Sequence, residues 1–153
     1  MKPTIRLKII KSKISFGFDF NPTVDRIRLV TSSGQNLRLN PETGTVAMTD
    51  GSLNPGTPTI ASAAYTNSVA GASTTILFDI DVAANKLYKQ DPPNNGTLVE
   101  VGSLGITAAT ANDGGFDISP DNMVALANVT IGANSVLLQI DLTNGKATNI
   151  GNL

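Results

Sequence analysis

Cysteine, histidine and tryptophan are all absent from the 153-residue chain. Without cysteine there is no disulfide and no thiolate ligand or nucleophile. Without histidine there is no imidazole metal ligand and no histidine-based catalytic triad. Aromatic residues make up only 5% of the chain, too few for a stacking platform for bases or sugar rings. Charged residues are 15%, against about 25% in an ordinary domain. No run approaches the roughly 20 apolar residues of a membrane span. What is plentiful is turn chemistry: Thr (17), Asn (15), Gly (14), Ser (11) and Pro (8) together supply 65 residues. This is the composition of a single all-β domain, long enough to bury a core without a covalent or metal staple.

The net charge of −1 conceals an uneven distribution. Lys2, Arg6, Lys8, Lys11 and Lys13 give residues 1–15 a charge of +5, while the rest of the chain carries −6. An acidic body with few cations is a poor match for nucleic acid, whose affinity comes from clustered Lys and Arg. The basic head lacks the uninterrupted apolar stretch and small-residue cleavage site of a secretory signal. Ile5, Leu7 and Ile9 alternate with Arg6 and Lys8, which is strand period and predicts a β-strand or arm over residues 1–15.

Beyond residue 15 the chain reads as a repeat. Leu37-Arg-Leu-Asn40, Phe78-Asp-Ile-Asp81 and Leu138-Gln-Ile-Asp141 share the order apolar, polar, apolar, Asn/Asp. Apolar residues two apart face one side of a pleat, and the Asn or Asp then leaves the strand by bonding the backbone two residues on. Four residues later stand Gly44, Asn85 and Gly145, types that tolerate a left-handed backbone. A further strand follows each turn: Thr45–Thr49, Lys86–Lys89 and Lys146–Ile150. The first and third units open on Gly-Phe-Asp-(Phe/Ile)-x-Pro, at Gly17–Pro22 and Gly115–Pro120. The units run about 16–51, 60–105 and 114–153, with Thr97–Gly102 as an extra strand in the long second interval. Four-stranded repeats of this length predict β-propeller blades, about three of them in an open or incomplete propeller; a β-sandwich is the alternative.

Gly17-Phe-Asp-Phe-Asn-Pro-Thr-Val-Asp-Arg-Ile-Arg28 and Ser33-Gly-Gln-Asn-Leu-Arg-Leu-Asn-Pro-Glu-Thr-Gly44 carry more specificity than any propensity. With Ala63–Ser68, Asn95–Leu98, Val101–Gly105 and Gly115–Ile118, they closely resemble the bacterial domain-of-unknown-function family 4394 over residues 16 to 153. The resemblance implies a propeller-like fold and a secreted or cell-envelope setting, and it carries over no catalytic residue. Family members typically hold further blade-like sequence before the Gly-Phe-Asp-Phe-Asn-Pro motif, so the chain resembles the C-terminal part of the family.

Among candidate chemical groups, Asp79 and Asp81 stand two apart on a strand, about 6.5–7 Å, near the carboxylate separation of an inverting glycosidase. The equivalent positions in the other units hold Arg38/Asn40 and Gln139/Asp141, which favours a solvent face with Asp81 as a turn cap. Asp113, Asp117 and Asp121 form the densest oxygen cluster and the one place for calcium, though without an EF-hand ladder. Asp19, Asn21 and Asp117 belong to the opening strands, next to the central channel of a propeller, and are the candidate ligand-binding residues at its mouth. The alternative is that they cap turns or receive bonds from Arg26 or Arg28. Gln35-Asn36 occupies a polar hairpin tip. Asn40, Gly44, Asp81, Asn85, Asp141 and Gly145 are assigned to structural turns.

These residues favour a non-catalytic binding or scaffolding module with a protein or glycan ligand, no obligatory cofactor and calcium as an option. An Asp-dependent carbohydrate-active or calcium-dependent hydrolase, and a truncated domain without independent function, are the alternatives. Three blades leave two end faces, expected to be apolar and to support self-association.

Overall fold

The computed structural model describes residues 14–106 and 114–153. The expected strand at Ile5–Ile9 and the candidate Asp113 lie outside them. The described residues form twelve strands: β1 (Phe16–Asn21), β2 (Arg26–Thr31), β3 (Asn36–Leu39), β4 (Val46–Thr49), β5 (Ile60–Tyr65), β6 (Leu77–Asp81), β7 (Lys86–Gln90), β8 (Leu98–Ser103), β9 (Gly114–Ile118), β10 (Ala125–Ile131), β11 (Asn134–Ile140) and β12 (Ala147–Asn152). Their one helical element is a 3₁₀ turn, Pro93–Asn95. The strands pair into three antiparallel four-stranded sheets, β1–β4, β5–β8 and β9–β12, each in simple chain order. The first strands lie against one another, β1 on β5 and β5 on β9. This is an open propeller-like array with the opening strands innermost.

Local chemistry explains the turns. Asn40 accepts the N–H groups of Glu42 and Thr43, and Asp141 accepts that of Thr143, so each side chain closes the turn that the strand runs into. Gly44, Asn85 and Gly145 then adopt φ of +66°, +58° and +81°. Gly145 is constrained twice, because a Cβ there would stand 2.7 Å from the Gly102 carbonyl oxygen. Gly145→Val is expected to lower stability by about 2–3 kcal/mol, a β-branched residue being strained at positive φ. A thermal melt unchanged from the parent would contradict this reading of the turn.

The second sheet departs from the sequence-based repeat. The apolar-polar-apolar-Asn/Asp motif ends the third strand in the first and third sheets, but in the second sheet it ends β6, the second strand. Leu98–Ser103 is therefore the sheet's own fourth strand, not an insertion. The shift also changes the environment of Asp79. It does not share a solvent face with Arg38 and Gln139, but lies fully buried on a strand whose five residues are all buried. The sheet has a neighbour on each side, so neither of its faces is free for polar residues.

The two seams between sheets differ in kind. Between the second and third sheets the core is apolar: Phe78, Ile80 and Leu87 meet Ile118, Ala127, Leu138 and Ile140. Between the first and second, a smaller apolar cluster of Val30, Leu53, Ile60, Ala63, Tyr65, Leu77 and Leu98 surrounds buried polar groups. The outer faces differ as well. The first sheet exposes Phe16, Phe18, Phe20 and Val46 at 48–58%. The third sheet presents exposed Asp117, Gln139 and Thr148, so the expectation of two apolar end faces holds at one end only. Repeat position accounts for Asp117, the counterpart of Asp19, which in the first sheet faces a neighbouring sheet and here faces none.

Candidate functional site

The polar seam is built around Arg28. Its side chain is 2% exposed and reaches four acceptors on four other pieces of chain. Nη1 donates to Asn36 Oδ1 (2.8 Å) and Asp50 Oδ2 (2.7 Å), Nη2 to Asn94 Oδ1 (2.8 Å), and Nε to the Tyr65 hydroxyl at 3.3 Å. Arg38 grips the same Asp50 through two parallel bonds of 2.8 Å. Burial works against charge at Asp50, but the hydrogen bonds from Arg38 and Arg28 outweigh it and hold its pKa below the ordinary carboxylate value.

Backbone contacts lock the same seam. Asn36 donates its side-chain N–H groups to the carbonyls of Gly51 and Pro93. Gly51 donates to the Asn94 carbonyl, Asn54 exchanges bonds with Gly96 and Leu98, and Asn54 and Thr97 form a parallel bridge. The segment after β4 is thus stitched to the 3₁₀ turn between β7 and β8.

All three buried side-chain oxygens without a hydrogen-bond partner among the described residues belong to the second sheet. They are both carboxyl oxygens of Asp79 and the Oε1 of Gln90. Leu77, Asp79, Tyr88 and Gln90 share the face turned toward the first sheet, as the β6–β7 register requires. Burial pushes the Asp79 pKa up to about 8, with the charge of Arg28 acting in the other direction.

At one edge of the seam opens a cleft of about 480 Å³. Asn21 and Thr23 border it from the first sheet; Tyr65, Gln90 and Pro93 form its wall, and Ser73, Thr74 and Thr75 contribute from the β5–β6 loop, with Lys89 and Asp91 at the rim. The hydroxyl-bearing loop is held in place by its own bonds: Thr75 Oγ1 donates to the Thr66 carbonyl and Asn67 Nδ2 to that of Thr74. A second hollow, of about 400 Å³, lies on the third sheet beside Asp141 and Lys146.

Of the residues singled out from sequence, Asp19 and Asp117 stand close enough that the charge of Asp117 contributes to raising the Asp19 pKa. The larger cause of that rise is burial, offset in part by N–H bonds from Tyr65 and Phe20. Asp19 thereby ties β1 to β5, accepting the Tyr65 N–H at 2.7 Å. Asn21 borders the cleft while its Oδ1 accepts the N–H and hydroxyl of Thr23. Asp117 is exposed and accepts the N–H of Ile118. Asp121 closes a turn through Ser119 and Met123 and lies apart from the seam. Asp81 accepts bonds from Thr59 and Ala84. Among the described residues, no three acidic side chains gather as a metal site would require.

Asn36, read as a hairpin tip, is instead 1% exposed inside the Arg28 network. Arg28, Asp50, Gln90 and Asn94 were not singled out from sequence; the signal available for Arg28 is its place inside the strand Arg26-Ile-Arg-Leu-Val-Thr31, between apolar residues.

The model of a family described as a domain of unknown function, DUF4394, matches residues 4–153, reaching further toward the N-terminus than the recognisable motifs. No curated protein matches the chain at a significant level.

Proposed function

We propose that this chain, which belongs to the DUF4394 family, is a non-catalytic binding module that takes a hydroxyl-rich ligand of the glycan class in the cleft between the first two sheets. The observation that carries the reading is the cleft's lining: amide and hydroxyl groups on a rigid seam, with the exposed Ser73 and Thr74 at its margin. Such groups exchange hydrogen bonds with sugar hydroxyls while the exposed Ile76 side chain supplies apolar backing.

The carboxylates support binding over hydrolysis. Asp19 and Asp81 are committed to backbone N–H groups, and Asp79 is enclosed, which leaves Asp91 as the one carboxylate lining the cleft. Glycoside hydrolysis needs two flanking the scissile bond. A secreted or cell-envelope setting is the context in which such a module would meet glycans.

Calorimetric titration with a panel of neutral oligosaccharides tests the reading. At least one is expected to bind, and Ser73→Trp, at an exposed position on the cleft margin, is expected to weaken it tenfold or more. Binding unaffected by Ser73→Trp would place the ligand elsewhere, and no binding across the panel would count against the glycan class.

A further inference from the structure

Asp79 is used by neither the turns nor the cleft, and its surroundings are unusual. The carboxyl has no exposed surface and neither oxygen has a hydrogen-bond partner among the described residues. The one cation acting on it, Arg28, has four of its five N–H donors committed to Asn36, Asp50, Asn94 and Tyr65. An ionised carboxylate in such a place is costly, whereas a neutral carboxyl costs far less.

We propose that Asp79 makes the joint between the first and second sheets proton-sensitive: the joint closes around a neutral carboxyl and loosens when that carboxyl gives up its proton. The charged and titratable groups around it are Arg28 on β2, Tyr65 on β5 and Tyr88 directly opposite on β7. Beyond these stand Arg38 and Asp50 against Arg28, Asp19 on β1, Asp81 on the same strand, and Glu100 opposite Tyr88, where it pairs with Lys86. Among the described residues, Arg28 is the only cation acting on Asp79 directly. Ionised Asp79 therefore draws the guanidinium away from Asn94 and the Tyr65 hydroxyl, two of the bonds that fasten the first sheet to the second. Asn94 sits in the 3₁₀ turn beside Pro93, so the movement reaches the cleft wall.

The direction of the pH effect follows from linkage. The folded chain holds the Asp79 proton up to about pH 8, whereas the unfolded chain releases it near 3.8. The stability conferred is complete below about pH 4, is lost progressively as pH rises to about 8, and stays lost above that. Inside the window the folding constant falls by a factor approaching ten per pH unit. Asp50, Asp121 and Asp141, whose pKa values are lowered, act oppositely and only below about pH 4.

The protein carries its own reporters. Its two tyrosines, Tyr65 and Tyr88, both face this joint, and there is no tryptophan to mask them. In the unliganded chain, denaturation between pH 4 and 9 should show the decline, and tyrosine emission should change with a midpoint near 8. That lies below phenol ionisation, about 10 for a free tyrosine. Asp79→Asn keeps the shape without the titration, and is expected to flatten both curves and to be the more stable protein at pH 8. The proposal is overturned if wild type shows no decline, if Asp79→Asn retains the same decline or emission change, or if Asp79→Asn fails to fold.

Discussion

Replacing Arg28 by leucine is expected to remove about 3–5 kcal/mol of stability, the cost of breaking a buried ion pair by deleting one partner. The magnitude comes from what is left behind. Asp50 keeps Arg38 but loses its fully enclosed partner, and the side-chain oxygens of Asn36 and Asn94 lose the donor that orients them. A native domain has only about 5–15 kcal/mol to lose, so the variant should be partly unfolded at ordinary temperature. Arg28→Lys keeps the charge but not the fork that meets acceptors in several directions, and should fall between leucine and wild type. Arg26→Leu is the control: Arg26 is only half-buried and its guanidinium bonds the adjacent Asp25 carbonyl, so its loss should stay within about 0.5 kcal/mol. Urea denaturation separates these cases, and an Arg28→Leu variant no less stable than Arg26→Leu would contradict the assignment of the seam.

Gly17→Ala is expected to be nearly as damaging, by about 3 kcal/mol, although it adds a single methyl group. A Cβ on Gly17 would lie 2.5 Å from the Ala63 nitrogen and 2.6 Å from its Cβ, so β1 and β5 could not remain at their present separation. Backbone on one side and a fully packed sheet on the other leave nowhere for the strain to go. The separation matters because Asp19 bonds across it to Tyr65 and Arg28 crosses beside it. Gly114 provides the comparison on β9, where the nearest atom to a new Cβ is 3.5 Å away. Gly114→Ala should be close to neutral. Equal effects of the two substitutions, read from thermal melts, would show that the first seam is no tighter than the second.

Much of the fold is legible in the sequence because it is decided locally. Alternation marks the strands of the end sheets, and Asn40, Asp141, Gly44 and Gly145 mark turns through bonds that span only two to four residues. The opening Gly-Phe-Asp motif of β1 fits an innermost strand because β1 needs a small residue and a short acid where it crowds against β5. The middle sheet escapes this reading. With neighbours on both faces, its strands bury consecutive residues, and a polar residue flanked by apolar ones no longer signals solvent. The run Ile60-Ala-Ser-Ala-Ala-Tyr65 carries that information, since nothing in it alternates. The repeat motif that aligned Asp79 with Arg38 therefore aligned a second strand with a third.

The site was less visible for a different reason. Asn36, Asp50, Tyr65 and Asn94 lie 8, 22, 37 and 66 residues from Arg28, and only the stacking of the sheets brings them together. Each taken alone is an ordinary turn or strand residue. Asn21, expected at the mouth of a central channel, borders the cleft between the first two sheets; the Ser73–Thr75 loop carried no signal, being one hydroxyl-rich stretch among many in this composition.

The measurement that bears most directly on the seam as the functional part of the molecule is the response of the two tyrosine rings to an oligosaccharide panel, followed by nuclear magnetic resonance. Tyr65 lines the cleft, and Tyr88, on the same face of the second sheet, does not. A binding oligosaccharide is expected to shift the Tyr65 ring resonances together with the amides of Asn21 and Ser73–Thr75, leaving Tyr88 nearly unmoved. Perturbations confined to the third sheet around Asp141 and Lys146, or no perturbation with any member of the panel, would contradict the account.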